Sequence, residues 1–187
     1  MDADRVADAF ASMPREWFLP ASARHRAAYD GPIEIGHGQT SSQPRTVEAM
    51  LRLLDVRPGD RVLDVGSGSG WTTALLAHLV GPSGSVRGVE LENELVAFGR
   101  DNLASGDWPW AGIRPATPGV LGDPAGAPYD RILVSAEART LPTELVAQLG
   151  AEARMVVPVA GEMVLIEQRT GDPRVSRHGR YRFVPLR

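Results

Sequence analysis

The sequence predicts an α/β fold in which helices cover both faces of a mostly parallel β-sheet. Short apolar runs typical of buried strands alternate with segments of helical periodicity, and this alternation is typical of parallel sheets. A glycine-rich turn, GSGSG at 66–70, joins one of these strands to the next helix. The last two strand-like runs lie too close together for a helix between them, which indicates an antiparallel pair at one edge.

The first 60 residues contain two predicted helices with a predicted loop between them. Asp4 to Met13 is predicted to form a short helix. Residues 31–44, GPIEIGHGQTSSQP, have no clear period and are predicted to form a loop whose final residues favour a helix start. Apolar residues then recur at i, i+3, i+4 and i+7, which predicts an amphipathic helix over about 44–55.

Strands and helices alternate through the rest of the chain. The predicted strands are RVLDV at 61–65, SVRGVE at 85–90 and DRILVSA at 130–136, followed by the candidates MVVPV, MVLIEQR and YRFVPL. The predicted helices are 71–80, 92–104 and 141–149. Residues 105–128 are rich in glycine and proline, and no element can be assigned to them from their pattern.

Composition and charge narrow the classes of function. The 187 residues suffice for a real core, and we expect one domain over 1–187. No apolar run approaches the ~20 residues of a membrane helix, and MDADRVADAF lacks the features of a signal peptide. We therefore expect a cytoplasmic protein, monomeric and without a membrane partner. A net charge of −3 without a basic tract argues against nucleic acid as a partner.

Two residue types are absent, and each absence excludes a kind of chemistry. Without cysteine, the chain has no thiol nucleophile, disulfide or cysteine-ligated metal. Without lysine, it has neither a P-loop nor Schiff-base chemistry. The four histidines are scattered without metal-ligand spacing, so we expect no metal site. His37, in the GHGQT loop, either lines a site or makes local contacts in a turn.

The glycine turn favours a cofactor that contains adenosine. The dinucleotide fingerprint is G-x-G-x-x-G, whereas Gly66, Gly68 and Gly70 form G-x-G-x-G, followed by the bulky Trp71. Glu90 ends the next predicted strand, at the spacing of an acid that binds an adenosine ribose. The pattern therefore indicates adenosine without a pyrophosphate, and S-adenosylmethionine fits it. Taken alone, the glycine turn could also be a tight connection that binds nothing.

Four sequence blocks together carry a family resemblance. AFASMPREWFLP, IGHGQTSSQP, LDVGSGSG and APYDRILVSA resemble the protein-L-isoaspartate O-methyltransferases in order and spacing over nearly the whole chain, and the terminal FVPL supports the match. The resemblance implies a Rossmann-like class I methyltransferase fold with a seven-stranded sheet. It implies methyl transfer from S-adenosylmethionine to the free α-carboxylate of an L-isoaspartyl residue in a damaged protein or peptide.

The resemblance also implies roles for individual residues. Ser42 matches the active-site serine of the family, and Thr40 lies beside it in the same loop. The three glycines match the cofactor turn, and Glu90 matches the acid that binds the ribose. Asp64 matches the acidic start of the turn, where we expect the cofactor's ammonium group. An isoaspartyl carboxylate is ionised at neutral pH, so the reaction needs positioning and no general base.

Two departures from the family pattern leave other functions open. The family's Gly-Asp-Gly turn, whose acid meets the adenine side of the cofactor, is replaced by Thr117, Pro118 and Gly119. We expect backbone groups around Thr117 and Pro118 to line the adenine instead. The segment after VPV is shortened to AGEM. One alternative is a related carboxyl methyltransferase that acts on a biosynthetic peptide, and the other is a non-catalytic binding module with a degenerate cofactor site.

Overall fold

The computed structural model describes residues 4–170 and 172–187. Within them, a seven-stranded sheet has the order β5-β4-β3-β6-β7-β8-β9, and β1 and β2 form a separate hairpin. The strands are β1 (Ile33–Gly36), β2 (Gln39–Ser41), β3 (Arg61–Val65), β4 (Ser85–Glu90), β5 (Ala111–Pro115), β6 (Tyr129–Val134), β7 (Leu149–Val159), β8 (Glu162–Glu167) and β9 (Arg174–Arg180). The α-helices are α1 (Arg5–Ser12), α2 (Pro44–Leu54), α3 (Trp71–Val80), α4 (Asn93–Ala104) and α5 (Thr143–Val146).

The sheet is parallel from β5 to β7 and antiparallel from β7 to β9. This arrangement confirms the prediction of a mostly parallel sheet with an antiparallel edge. Parallel strands end at the same side of the sheet, so β3, β4 and β6 present their carboxyl ends together. The glycine turn follows β3 and Glu90 is the last residue of β4, which brings the two predicted cofactor elements side by side.

Alternating side chains divide the core between the two faces of the sheet. On one face, α1 to α4 pack over the central strands, and nine of the ten residues of α3 are buried, so this helix lies within the core. The other face carries the one-turn helix α5 and a 3-10 turn at Pro124–Gly126. Helices therefore lie on both faces, but the second face is covered mainly by loops.

Three local predictions were wrong. Residues 31–44 contain the β1–β2 hairpin, and the predicted helix at 141–149 has only the turn Thr143–Val146, because Leu149 already pairs with Tyr129 in the sheet. The last strand is Arg174–Arg180 instead of YRFVPL. Most residues of this strand are exposed and polar, so it carries no hydrophobic periodicity from which the sequence could predict it. Among the residues described, none of the helices is both long and apolar enough to cross a bilayer.

Candidate active site

A cavity of about 860 Å³ opens at the carboxyl ends of the parallel strands. Its wall includes seven of the residues predicted from sequence: Thr40, Ser42, Gly66, Gly68, Glu90, Thr117 and Pro118. Of the described residues, Gly70 and Asp64 were also predicted to form the site but are not part of the wall. His37 is also outside it, because its imidazole lies 2.9 Å from the Glu94 carboxylate.

The glycine turn requires a backbone that side chains rarely allow. Gly66, Gly68 and Gly70 have φ values of 80°, 52° and 89°, in the left-handed region that favours glycine. A Cβ at Gly70 would also lie 3.1 Å from the carbonyl oxygen of Gly99. Gly70 therefore contributes to the site by allowing α4 to pack closely against the turn, although it does not line the cavity.

Two residues of α4 hold this turn, and the sequence analysis missed both. A Cβ at Gly99 would come within 3.0 Å of the Gly68 carbonyl oxygen and 2.7 Å of Ile113 Cδ1. Asn102 Nδ2 donates a 2.9 Å hydrogen bond to the Ser69 carbonyl. The sequence did contain a signal for Gly99. A glycine inside an otherwise helical pattern costs helix stability, so its presence indicates that close packing requires it.

Glu90 is buried at the end of β4, with its carboxylate facing the glycine turn. Its Oε2 accepts the Gly68 N–H at 2.9 Å, and its Oε1 accepts the N–H groups of Leu91 and Glu92 at 2.7 and 3.0 Å. A carboxylate offers roughly four acceptor positions, so one remains on Oε2. That position is free for one hydroxyl group of a ligand, and a second hydroxyl would have to share an oxygen with a backbone N–H.

Asp64 is fully buried behind the turn, so its carboxylate does not reach the cavity. Oδ2 accepts hydrogen bonds from Thr72 and Thr73 hydroxyls, both at 2.7 Å, while Oδ1 has no partner among the described residues. Desolvation raises the pKa of Asp64 to about 6, against the lowering effect of the two threonine hydrogen bonds. The expected direct contact with a cofactor ammonium group is therefore not supported. Asp64 instead ties the end of β3 to the first turn of α3.

The hairpin and the start of α2 position Ser42. Thr40 pairs with Glu34 across the β1–β2 ladder, and Ser42 lies between the end of β2 and the first residue of α2, Pro44. The segment is thus fixed at both ends, by strand pairing before Ser42 and by the helix after it. Ser42 is half-buried and lines the same cavity as the glycine turn.

The segment that replaces the family's Gly-Asp-Gly forms a regular β-turn. The N–H of Val120 donates to the Thr117 carbonyl at 3.0 Å, and Gly119 has a φ of 77°. Pro at the second position and glycine with positive φ at the third are typical of a type II turn. Pro118 therefore costs this turn no hydrogen bond, although the acidic side chain remains missing from the cavity wall.

The far wall of the cavity comes from the end of the chain, which sequence analysis did not assign to the site. The N–H of Glu137 donates to the Val184 carbonyl at 2.7 Å, and the N–H of Leu186 donates to the Glu137 carbonyl at 2.8 Å. Arg187 Nη2 lies 2.6 Å from Oε1 of Glu92, which is two residues after Glu90. The FVPL block thus packs beside the loop after β6 and reaches the cofactor side.

The fold and site together define a Rossmann-like methyltransferase. The features that define it are the sheet with its antiparallel β7–β9 edge, a glycine turn after β3 and an acid at the end of β4. A solved structure of a protein-L-isoaspartate O-methyltransferase superposes with a TM-score of 0.85 at 25% identity, covering 98% of this chain and 61% of that chain.

Comparisons of sequence and structure identify the family more closely. The model of the protein-L-isoaspartate(D-aspartate) O-methyltransferase (PCMT) family matches residues 1–187, and the chain belongs to this family. The protein-L-isoaspartate O-methyltransferase of Methanopyrus kandleri is 44% identical over 188 residues, which cover 98% of this chain and 83% of that relative. The enzyme of the same name from Aeropyrum pernix is 44% identical over 192 residues, which cover 97% of this chain and 72% of that relative. A Plasmodium falciparum family structure in complex with S-adenosyl-L-homocysteine has a TM-score of 0.82 at 27% identity, with 100% of this chain and 92% of that chain covered.

Proposed function

We propose that the protein transfers a methyl group from S-adenosylmethionine to the free α-carboxylate of L-isoaspartyl residues in damaged proteins or peptides. The observation that carries this proposal is the shared cavity, whose wall contains both the cofactor turn with Glu90 and the segment with Ser42. Methyl donor and acceptor can therefore meet in one cavity. The names of the relatives in the family support the choice of acceptor.

The residues of the cavity fit S-adenosylmethionine. Glu90 keeps an acceptor position for a ribose hydroxyl, and the turn at Thr117 to Val120 offers backbone to the adenine. Gly66 and Gly68 allow a ligand to approach the backbone closely, because they carry no Cβ. When bound, S-adenosylmethionine supplies a methyl group activated by the positive charge of its sulfonium. Asp64 contributes indirectly, by holding the first turn of α3 through Thr72 and Thr73.

Ser42 orients the acceptor carboxylate through a hydrogen bond from its hydroxyl group. The carboxylate has an ordinary pKa of about 3.9, so it is ionised at neutral pH and no residue has to remove a proton. The task left to the protein is to hold the two reacting atoms in line and in contact. Arg139, an exposed residue of the cavity wall, draws the anionic acceptor toward the opening.

A related carboxyl methyltransferase that acts on a biosynthetic peptide is the second candidate. Residues Ala160 and Gly161, both with positive φ, make a two-residue turn between β7 and β8, where the family has a longer loop. A shorter loop gives the acceptor different surroundings while leaving the cofactor turn unchanged. Cytoplasmic location and a monomeric state remain proposals, supported by the sequence composition and tested by no contact in the structure.

The first experiment is calorimetric titration with S-adenosylmethionine and its demethylated product, followed by methyl transfer to an isoaspartyl peptide. The matching aspartyl peptide is the control for the acceptor. We expect binding of both ligands and transfer to the isoaspartyl peptide alone. No binding at millimolar ligand would favour the non-catalytic binding module, and binding without transfer would favour the peptide-specific alternative.

Two variants separate the proposed roles of Glu90 and Ser42. Glu90→Ala should weaken cofactor binding by about one to two decades, since a charge-assisted hydrogen bond contributes roughly 1.5–3 kcal/mol. Ser42→Ala should leave cofactor affinity unchanged and reduce turnover, and Ser105→Ala, at the exposed end of α4, is the control. Equal loss of cofactor binding in the Glu90 and Ser42 variants would contradict this division.

A further inference from the structure

Arg15, in the MPREWFLP block, makes five hydrogen bonds beneath the Ser42 segment. Its Nε donates to Ser41 Oγ at 3.1 Å and its Nη1 to the Tyr29 carbonyl at 2.9 Å. Its Nη2 faces three carbonyls, those of Gly31, Ser41 and Ser42, at 2.9, 2.8 and 2.9 Å. One guanidinium thus joins the segment that precedes β1 to Ser41, the last residue of β2, and to Ser42 after it.

The guanidinium is buried, and none of the described carboxylates lies within salt-bridge distance of it. Arg15 is 5% exposed, and each of these five acceptors is neutral. Desolvation lowers the pKa of Arg15 to about 10, with Asp30 acting in the opposite direction, so the group stays protonated at neutral pH. A buried charge is costly unless it is hydrogen-bonded. The carbonyls of Gly31, Ser41 and Ser42 share the two N–H groups of Nη2, so this buried cation holds all three carbonyls close together.

Arg15 also contacts the cofactor side of the cavity through Trp71. Its guanidinium carbon lies 5.4 Å from the centre of the Trp71 ring, within the range of a cation–π interaction. Trp71 begins α3 directly after the glycine turn, lines the cavity and donates a hydrogen bond to the Met13 carbonyl at 3.0 Å. The side chain therefore connects the segment with Ser42 to the helix that follows the cofactor turn.

We propose that Arg15 is a positioning residue for methyl transfer, which fixes the acceptor-binding segment relative to the cofactor turn. This inference rests on the proposed function and adds to it a residue that sets the distance between donor and acceptor sites. Arg15 touches neither reactant in this scheme and acts through Ser42 and Trp71. A displacement of about 1 Å at such a site can reduce the rate about 100-fold.

The test compares substitutions of two buried arginines that both bond to backbone carbonyls. Arg15→Met removes all five hydrogen bonds, and Arg15→Lys keeps the charge with at most three donors. Arg131→Met is the matched control, because Arg131 is 5% exposed, donates to the Asp55 and Asp130 carbonyls, and lies outside the cavity wall. The readouts are kcat and KM with an isoaspartyl peptide, affinity for S-adenosylmethionine, and amide hydrogen exchange.

We expect Arg15→Met to lower kcat about 10- to 100-fold, with cofactor affinity changed less than about threefold and amides 39–43 exchanging faster. Arg15→Lys should recover part of the loss, and should remain informative if Arg15→Met does not fold. Arg131→Met should lower thermal stability while keeping kcat and the exchange of amides 39–43 as in the wild type.

Two results would overturn the proposal. One is an unchanged kcat and unchanged exchange at 39–43 in both Arg15 variants. The other is a parallel loss of cofactor affinity and kcat in the Arg15 and Arg131 variants, which would assign Arg15 to general stability. If the wild type transfers no methyl group, the proposed function fails by itself. The exchange data then decide whether Arg15 holds the segment.

Discussion

Asp64→Asn should remove a pH dependence of stability that originates in the buried carboxyl behind the glycine turn. Burial raises the pKa of Asp64 from an ordinary 3.8 to about 6 in the folded protein. Between these values the folded state binds more protons than the unfolded state, so the free energy of unfolding falls as pH rises. At 1.36 kcal/mol per pKa unit, the full contribution is about 3 kcal/mol, of which about 2 kcal/mol is lost between pH 4 and pH 7.

The amide is neutral at every pH, so the variant lacks this contribution. Its oxygen can still accept from Thr72 and Thr73, while its NH₂ group would occupy the place of the unpartnered Oδ1. An unsatisfied buried donor costs roughly 1–3 kcal/mol, and this cost does not vary with pH. The informative quantity is therefore the wild-type stability minus the variant stability, followed as a function of pH.

Urea denaturation at half-unit steps from pH 4 to pH 7.5 measures this difference. We expect it to fall by about 2 kcal/mol across the range and to level off above about pH 7. Thr73→Val is the matched second variant, because losing a hydrogen bond that lowers the Asp64 pKa should move the fall to higher pH. A difference that stays constant with pH would refute the reasoning.

Two further substitutions test the turns that line the cavity. Gly99→Ala should cost about 1–3 kcal/mol of stability and weaken cofactor binding, because the new Cβ would meet Gly68 and Ile113. Gly112→Ala is the control, because a Cβ at Gly112 would have no atom within 4 Å. If both variants lost the same cofactor affinity in calorimetric titration and the same stability in denaturation, the result would contradict a specific role of Gly99. Pro118→Asp should tighten cofactor binding by about one to two decades, since it restores a charged acceptor beside the adenine. Titration shows whether affinity rises, and unchanged affinity would mean that the turn at Thr117 does not face the adenine.

The elements that could be predicted from the sequence are those whose formation depends on residues close together in the chain. The amphipathic spacing of α2, the apolar run of β3 and the residues 71–80 of α3 agree with the structure to within a residue. Each of these elements is determined by apolar residues buried on one face or by a turn at its end. Both features are visible in neighbouring residues of the sequence. For the same reason, the glycine turn and Glu90 could be predicted as parts of one site, and the structure places Gly66, Gly68 and Glu90 in the wall of one cavity.

The elements that sequence analysis missed depend on contacts between distant residues. The β1–β2 hairpin and β9 are short or exposed and carry little hydrophobic period. Asp64 has the position of a cofactor ligand in the sequence, yet its burial directs it to Thr72 and Thr73.

The sequence by itself thus determined the fold class, the family resemblance and the cofactor turn, because period, turn chemistry and motif spacing are local properties. Only the tertiary structure decided which side chains share the cavity. It placed Gly99 against the turn, Arg187 beside Glu92 and Arg15 beneath Ser42. These contacts join residues far apart in the chain, and their existence depends on how the helices and loops pack around the sheet.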